Sequence, residues 1–133
     1  MAEGDTLVNA VIGALVNVVA GSFLPFGPVI GGAAAGYLQG GSREDGLKVG
    51  AIAGVIALIP IFLFLTLFGG LFFAIVAGGT MGGGMPGGFP MAAGGIGFVV
   101  VLFFIFGAVY VVGLSALGGY LGNYVKYDTD VDI

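Results

Sequence analysis

All ten charged side chains of this 133-residue chain fall in three short clusters, and the two stretches between them carry none. Glu3 and Asp5 form the first cluster, Arg43, Glu44, Asp45 and Lys48 the second, and Lys126, Asp128, Asp130 and Asp132 the third. The uncharged stretches are 37 residues (6 to 42) and 77 residues (49 to 125) long. A helix rises about 1.5 Å per residue and the hydrocarbon core of a bilayer is about 30 Å thick, so one crossing takes roughly 20 apolar residues. Both stretches exceed that length. With 59% hydrophobic and 8% charged residues and a mean hydropathy of +1.18, the chain belongs in lipid, because a soluble domain carries about a quarter charged residues. Disorder is excluded by the same figures, since disordered chains are polar and charged.

The sequence contains no cysteine and no histidine. Disulfides, thiolate metal sites and thiol nucleophiles are thereby removed, and so are the commonest general base and metal ligand. A non-enzymatic protein without a cofactor is expected.

Four membrane segments are predicted, at about 7–24, 28–41, 43–76 and 96–124, in an all-α polytopic bundle forming a single domain over 1–133. The first stretch breaks at Leu24-Pro25-Phe26-Gly27-Pro28, where two prolines remove amide donors and restrict the residues before them. Segments one and two are expected to form a short hairpin. Segment two, about 14 residues and about 21 Å, either spans thinned lipid or is re-entrant. Ser42 and Asp45 form a variant capping box at the start of segment three, where Glu44 can pair with Lys48 and Pro60 is expected to kink the helix. The run 77–95, with nine glycines and two prolines, reads as a loop, and 125–133 as an acidic tail. The opening MAEGDT lacks the basic residues of a signal peptide, so the first helix is expected to stay in the protein.

With segments one and two as a hairpin, all three clusters of charge lie on one side of the membrane. All three basic residues are among them, so the positive-inside rule makes that side, with both termini, the cytoplasmic face of the plasma membrane. Tyr37, Tyr120, Tyr124 and Tyr127 fall near the same boundary, as interfacial aromatics do.

Small residues recur every fourth position: Asn9, Gly13, Asn17 and Gly21; Gly32, Gly36 and Gly40; Gly46, Gly50 and Gly54; Ser115, Gly119 and Asn123 beside Gly118 and Gly122. Such spacing puts each set on one helix face and lets helix backbones approach closely in lipid. These faces are expected to pack helices within a chain or between chains, giving a homo-oligomer or a subunit of a membrane complex. Asn9 and Asn17 should hydrogen-bond across a helix contact; with Thr66 and Ser115 they could alternatively line a path for a neutral solute. No Asp, Glu, Lys, Arg or His occurs within the stretches 6–42 and 49–125, which argues against proton relays and charged-substrate carriers.

Met81, Met85 and Met91 have a spacing that suits Cu(I), but no Cys, His or acid accompanies them, so an apolar loop is the reading and no metal is expected. The literal G-x-G-x-x-G at Gly82, Gly84 and Gly87 follows no strand and contains Pro86, which excludes a dinucleotide site. Asp128, Asp130 and Asp132 lack the glycine and closing glutamate of a calcium loop. Three basic residues are too few for nucleic acid.

The residues from Asn9-Ala10-Val11-Ile12-Gly13, through Phe23-Leu24-Pro25-Phe26-Gly27-Pro28-Val29-Ile30-Gly31-Gly32 and Gly36-Tyr37-Leu38-Gln39-Gly40-Gly41, to Arg43-Glu44-Asp45-Gly46-Leu47-Lys48-Val49-Gly50 resemble a family of small, glycine-rich haloarchaeal membrane proteins of unknown function. The resemblance covers about 7 to 70 well and the last helix more loosely. It implies the plasma membrane of a salt-loving archaeon, and no mechanism. Four-span proteins of archaeal enveloped viruses would share this composition. The expected role is structural or in assembly, through the glycine faces; the alternatives are a passive channel or a transporter of a small solute, a metal included, and a membrane protein of an archaeal enveloped virus.

Overall fold

The computed structural model describes residues 5–81 and 89–128, with side chains described outside 72–94 and 96. The described residues form four α-helices and no strand: α1 (Thr6–Phe23), α2 (Gly27–Gln39), α3 (Arg43–Met81) and α4 (Phe89–Asp128). Asp5 caps α1 by accepting a hydrogen bond from the Leu7 amide at 3.2 Å. That helix ends where Leu24, the residue before Pro25, takes an extended conformation (φ −131°, ψ 135°), as the proline ring demands. Pro28 then sits in the first turn of α2, where its missing donor leaves no bond unmade.

Gly40 and Gly41 close α2 with φ of +67° and +73°, a conformation that side chains with a Cβ rarely adopt. Ser42 and Asp45 start α3 reciprocally. The Ser42 amide donates to Asp45 Oδ2 at 2.9 Å, and the Asp45 amide donates to Ser42 Oγ at 3.3 Å.

The expected loop 77–95 needs correction at both ends. Helix α3 continues to Met81 and α4 already begins at Phe89, leaving 82–88 outside the described residues. Glycine costs a helix about 1 kcal/mol in water, but an unsatisfied backbone group in lipid costs several, which favours continued helix over loop. Pro90 is tolerated because it lies in the first turn of α4.

The chain divides into two compact units, Met1–Ile59 with Ala108–Ile133, and Pro60–Gly107. Inside the first, the residues that carry the packing are small: Ala10, Ala14, Ala35, Ala53 and Ala57, with Val49 the largest buried apolar side chain. Leu7, Val11, Leu15 and Val19 on the same α1 are exposed. A helix in water buries its large apolar residues. Small inside and large outside is the distribution of helices packed in lipid.

In the second unit Phe62, Leu63, Phe64 and Leu65 are all exposed, and four successive residues cover every direction around a helix. The Phe62 and Phe104 rings meet edge to face with centroids 5.3 Å apart. Among the described residues, three helical stretches are long and apolar enough to cross a membrane: Thr6–Phe23, Arg43–Leu71 and Gly97–Asp128. The 13-residue α2 is not among them.

Candidate functional site

The interior of the first unit is built on backbone-to-backbone approach. Helices α1 and α2 run antiparallel, with Gly13 against Ala35, Gly31 against Asn17 and Gly27 against Gly21. Helices α2 and α4 run parallel, so that Gly32 meets Ser115, Gly36 meets Gly119, Gly118 meets Val29 and Gly122 meets Ala33. Helix α3 reaches α4 antiparallel: Gly46 lies against Gly119 and Asn123, Gly50 against Ser115, and Gly54 against Val112. These glycine faces therefore meet within one chain. Gly21 and Gly40 differ from the others in what their missing side chains do, although the Gly21 backbone lies against Gly27. The Cβ direction at Gly21 is open, and Gly40 belongs to the α2–α3 turn, where its positive φ is what requires glycine.

Polar side chains inside this unit are mostly satisfied. Asn9 Nδ2 donates to Gln39 Oε1 at 3.0 Å, and Gln39 Nε2 donates to Thr6 Oγ1 at 2.9 Å, which fastens the start of α1 to the end of α2. Ser115 Oγ donates to the Gly50 carbonyl at 2.7 Å. Asn123 Nδ2 donates to the Gly40 carbonyl at 2.9 Å, so α4 holds the α2–α3 turn. Asn17 is the exception: 2% exposed, its Nδ2 has no hydrogen-bond partner among the described residues. Thr66 does not join this set. It lies in the second unit, exposed, and its hydroxyl donates to the Phe62 and Leu63 carbonyls of its own helix. Met81 and Met91 fall in helical backbone near the ends of α3 and α4, while Met85 lies outside the described residues.

A second constellation gathers where α2 and α4 end and α3 begins. The Arg43 guanidinium pairs with Asp128 and lies 5.1 Å from the Tyr124 ring centroid and 5.9 Å from that of Tyr120. The Lys126 ammonium lies 5.5 Å from the Tyr37 ring and 5.7 Å from the Tyr127 ring. Cation–π attraction of this kind contributes about 0.5–1 kcal/mol at exposed sites. Tyr127 Oη also accepts from the Gly41 amide at 3.2 Å. Sequence reading placed these tyrosines at a membrane boundary but did not pair them with Arg43 and Lys126. The available signal was the four-residue spacing of Tyr120, Tyr124 and Asp128, which puts ring, ring and carboxylate on one face.

The helices carrying both constellations correspond to a known grouping: residues 7–125 match the model of a family of unknown function, DUF5518. The chain belongs to that family. Membership covers α1 to α3 and α4 as far as Val125, which includes the last helix and the glycine-rich run between α3 and α4, and stops just before Lys126. No curated protein and no solved structure matches this DUF5518 chain.

Proposed function

We propose that this DUF5518 member is a multi-pass plasma-membrane protein with a structural or assembly role. In this reading α1 and α2 form a hairpin within the membrane, α3 and α4 cross it, and both termini face the cytoplasm. The observation that carries it is the inverted burial of the first unit: alanine and glycine inside, leucine, valine and phenylalanine outside. Only a lipid surround makes that arrangement favourable over the reverse. The acidic balance of the charged clusters and the resemblance to haloarchaeal proteins support a cytoplasmic face in concentrated salt. Since the glycine faces are occupied within the chain, association with further copies or a partner protein falls to the exposed apolar faces of α3 and α4, where Gly69, Gly70, Gly107 and Gly113 have open space before them.

Purified protein in liposomes tests this reading. It should resist extraction by alkaline carbonate, pass no solute, and crosslink as a defined oligomer or with a fixed partner. Release by carbonate would contradict the membrane placement, and a strictly monomeric, partnerless protein would contradict assembly.

One observation favours a second reading, a passive path for neutral solutes: the unpartnered Asn17 amide in the middle of the packed helices. That reading requires liposome flux which Asn17→Leu abolishes. Against it, Asn9, Ser115 and Asn123 already bond to protein groups.

A further inference from the structure

The three basic residues are not in equivalent surroundings. Arg43 has a carboxylate in Asp128, a hydroxyl in Tyr120 and the face of Tyr124. Lys48 lies four residues after Glu44 on the first turns of α3, beside its own acidic cluster. Lys126 has two aromatic rings and, among the described residues, no carboxylate within ion-pair distance. An ammonium carries three hydrogen-bond donors, and the two aromatic rings supply no oxygen to accept them.

A second donor lies beside it. Tyr127 Oη accepts the Gly41 N–H, which leaves the phenolic proton available to donate. Both atoms converge on Gly40. A Cβ built there would lie 2.8 Å from Tyr127 Oη and 3.2 Å from Lys126 Nζ, which puts the two polar atoms within about 6 Å of each other. The absent side chain at Gly40, required anyway by its φ of +67°, is what lets them approach the turn. Asn123 fixes the turn from the other side by donating to the Gly40 and Gly41 carbonyls.

We propose that Lys126 and Tyr127, converging over Gly40, bind the phosphate of an anionic phospholipid headgroup. A phosphate presents several strong acceptor oxygens, enough to take an ammonium N–H and a phenolic O–H at once. Lipid is the source because the exposed rings of Tyr37 and Tyr127 flank Lys126, with the exposed Tyr120 and Tyr124 beside Arg43, and because the site stands where both uncharged stretches end. Interfacial tyrosines and cations occupy headgroup depth. The assignment rests on the membrane placement proposed above and adds a particular lipid chemistry at a particular turn.

The test is retention of added lipid by detergent-purified full-length protein, read by native mass spectrometry with equal amounts of phosphatidylglycerol and phosphatidylcholine. Wild type should retain phosphatidylglycerol preferentially. Lys126→Gln should lower that retention roughly tenfold, the scale of one hydrogen bond to a charged group, and Tyr127→Phe should lower it less. Lys48→Gln should leave it unchanged, and millimolar inorganic phosphate should not displace the lipid. Equal retention of both lipids by wild type, or full retention by a Lys126→Gln protein with unchanged elution and helicity, overturns the site. Displacement by inorganic phosphate alone overturns the lipid as its source. Carbonate extraction of wild type, run beside it, separates the two proposals: a membrane-retained protein without headgroup preference sinks only this one.

Discussion

Gly36 on α2 faces Gly119 on α4 so closely that a Cβ on Gly36 would overlap the Gly119 carbonyl oxygen, and Gly46 brings α3 against the same peptide. Three helices thus share one point of backbone approach. Dispersion between backbones at this distance replaces the burial of large side chains that holds soluble bundles together.

Gly36→Leu should therefore separate α2 from α4, at a cost of about 1–3 kcal/mol or more, as overpacking does. Gly70→Leu, where nothing lies within 4 Å of the Cβ position, should leave thermal stability in detergent unchanged. Melting curves of the two variants beside wild type check this; equal loss in both would show that the Gly36 contact carries no weight.

The buried polar residues differ in what their removal costs. Ser115→Ala deletes a 2.7 Å bond to the Gly50 carbonyl and should destabilise by about 1 kcal/mol. Asn17→Leu deletes an amide whose nitrogen has no partner, so it should be neutral or stabilising, because removing an unsatisfied buried donor relieves its desolvation penalty. Chemical or thermal denaturation that ranked Asn17→Leu below Ser115→Ala would indicate that Asn17 is bonded in the membrane.

The ion pair of Arg43 with Asp128 is half exposed, with side-chain accessibilities of 50% and 41%. Such pairs contribute about 0.2–1 kcal/mol and are screened by salt. Asp128→Asn should accordingly lower the melting temperature slightly at low salt, and the difference from wild type should vanish near 1 M salt, where the screening length is about 3 Å. A difference that persists in high salt would point to a packing role for Asp128 instead.

Signals that act locally were legible in the sequence. The break at Leu24-Pro25 and the capping pair Ser42 and Asp45 each depend on one or two residues and stand close to where they were expected, whereas Gly40, expected within the second helix, lies in the turn after Gln39. Segment ends at 7, 24, 28 and 43 lie within a residue of the helix ends observed. The helical stretches 77–81 and 89–95 were missed because glycine was weighed by its cost in water. Pairing between faces was equally illegible, since spacing alone shows that Gly36 and Gly119 lie on small faces but not that they meet. Asn9 and Asn17 share one spacing on one helix, yet only Asn9 has a long polar side chain, Gln39, opposite it. Of the two rings beside Lys126, Tyr127 adjoins it in the sequence, but Tyr37 is supplied by α2 and leaves no local mark.

The chain has no cysteine, so single introduced cysteines report topology without background. In intact cells treated from outside with a membrane-impermeant maleimide, Gly84→Cys should label, while Ser42→Cys and Thr129→Cys should label only after the membrane is opened. Labelling of Ser42→Cys and Thr129→Cys from outside, with Gly84→Cys protected, would contradict the membrane arrangement proposed for this chain.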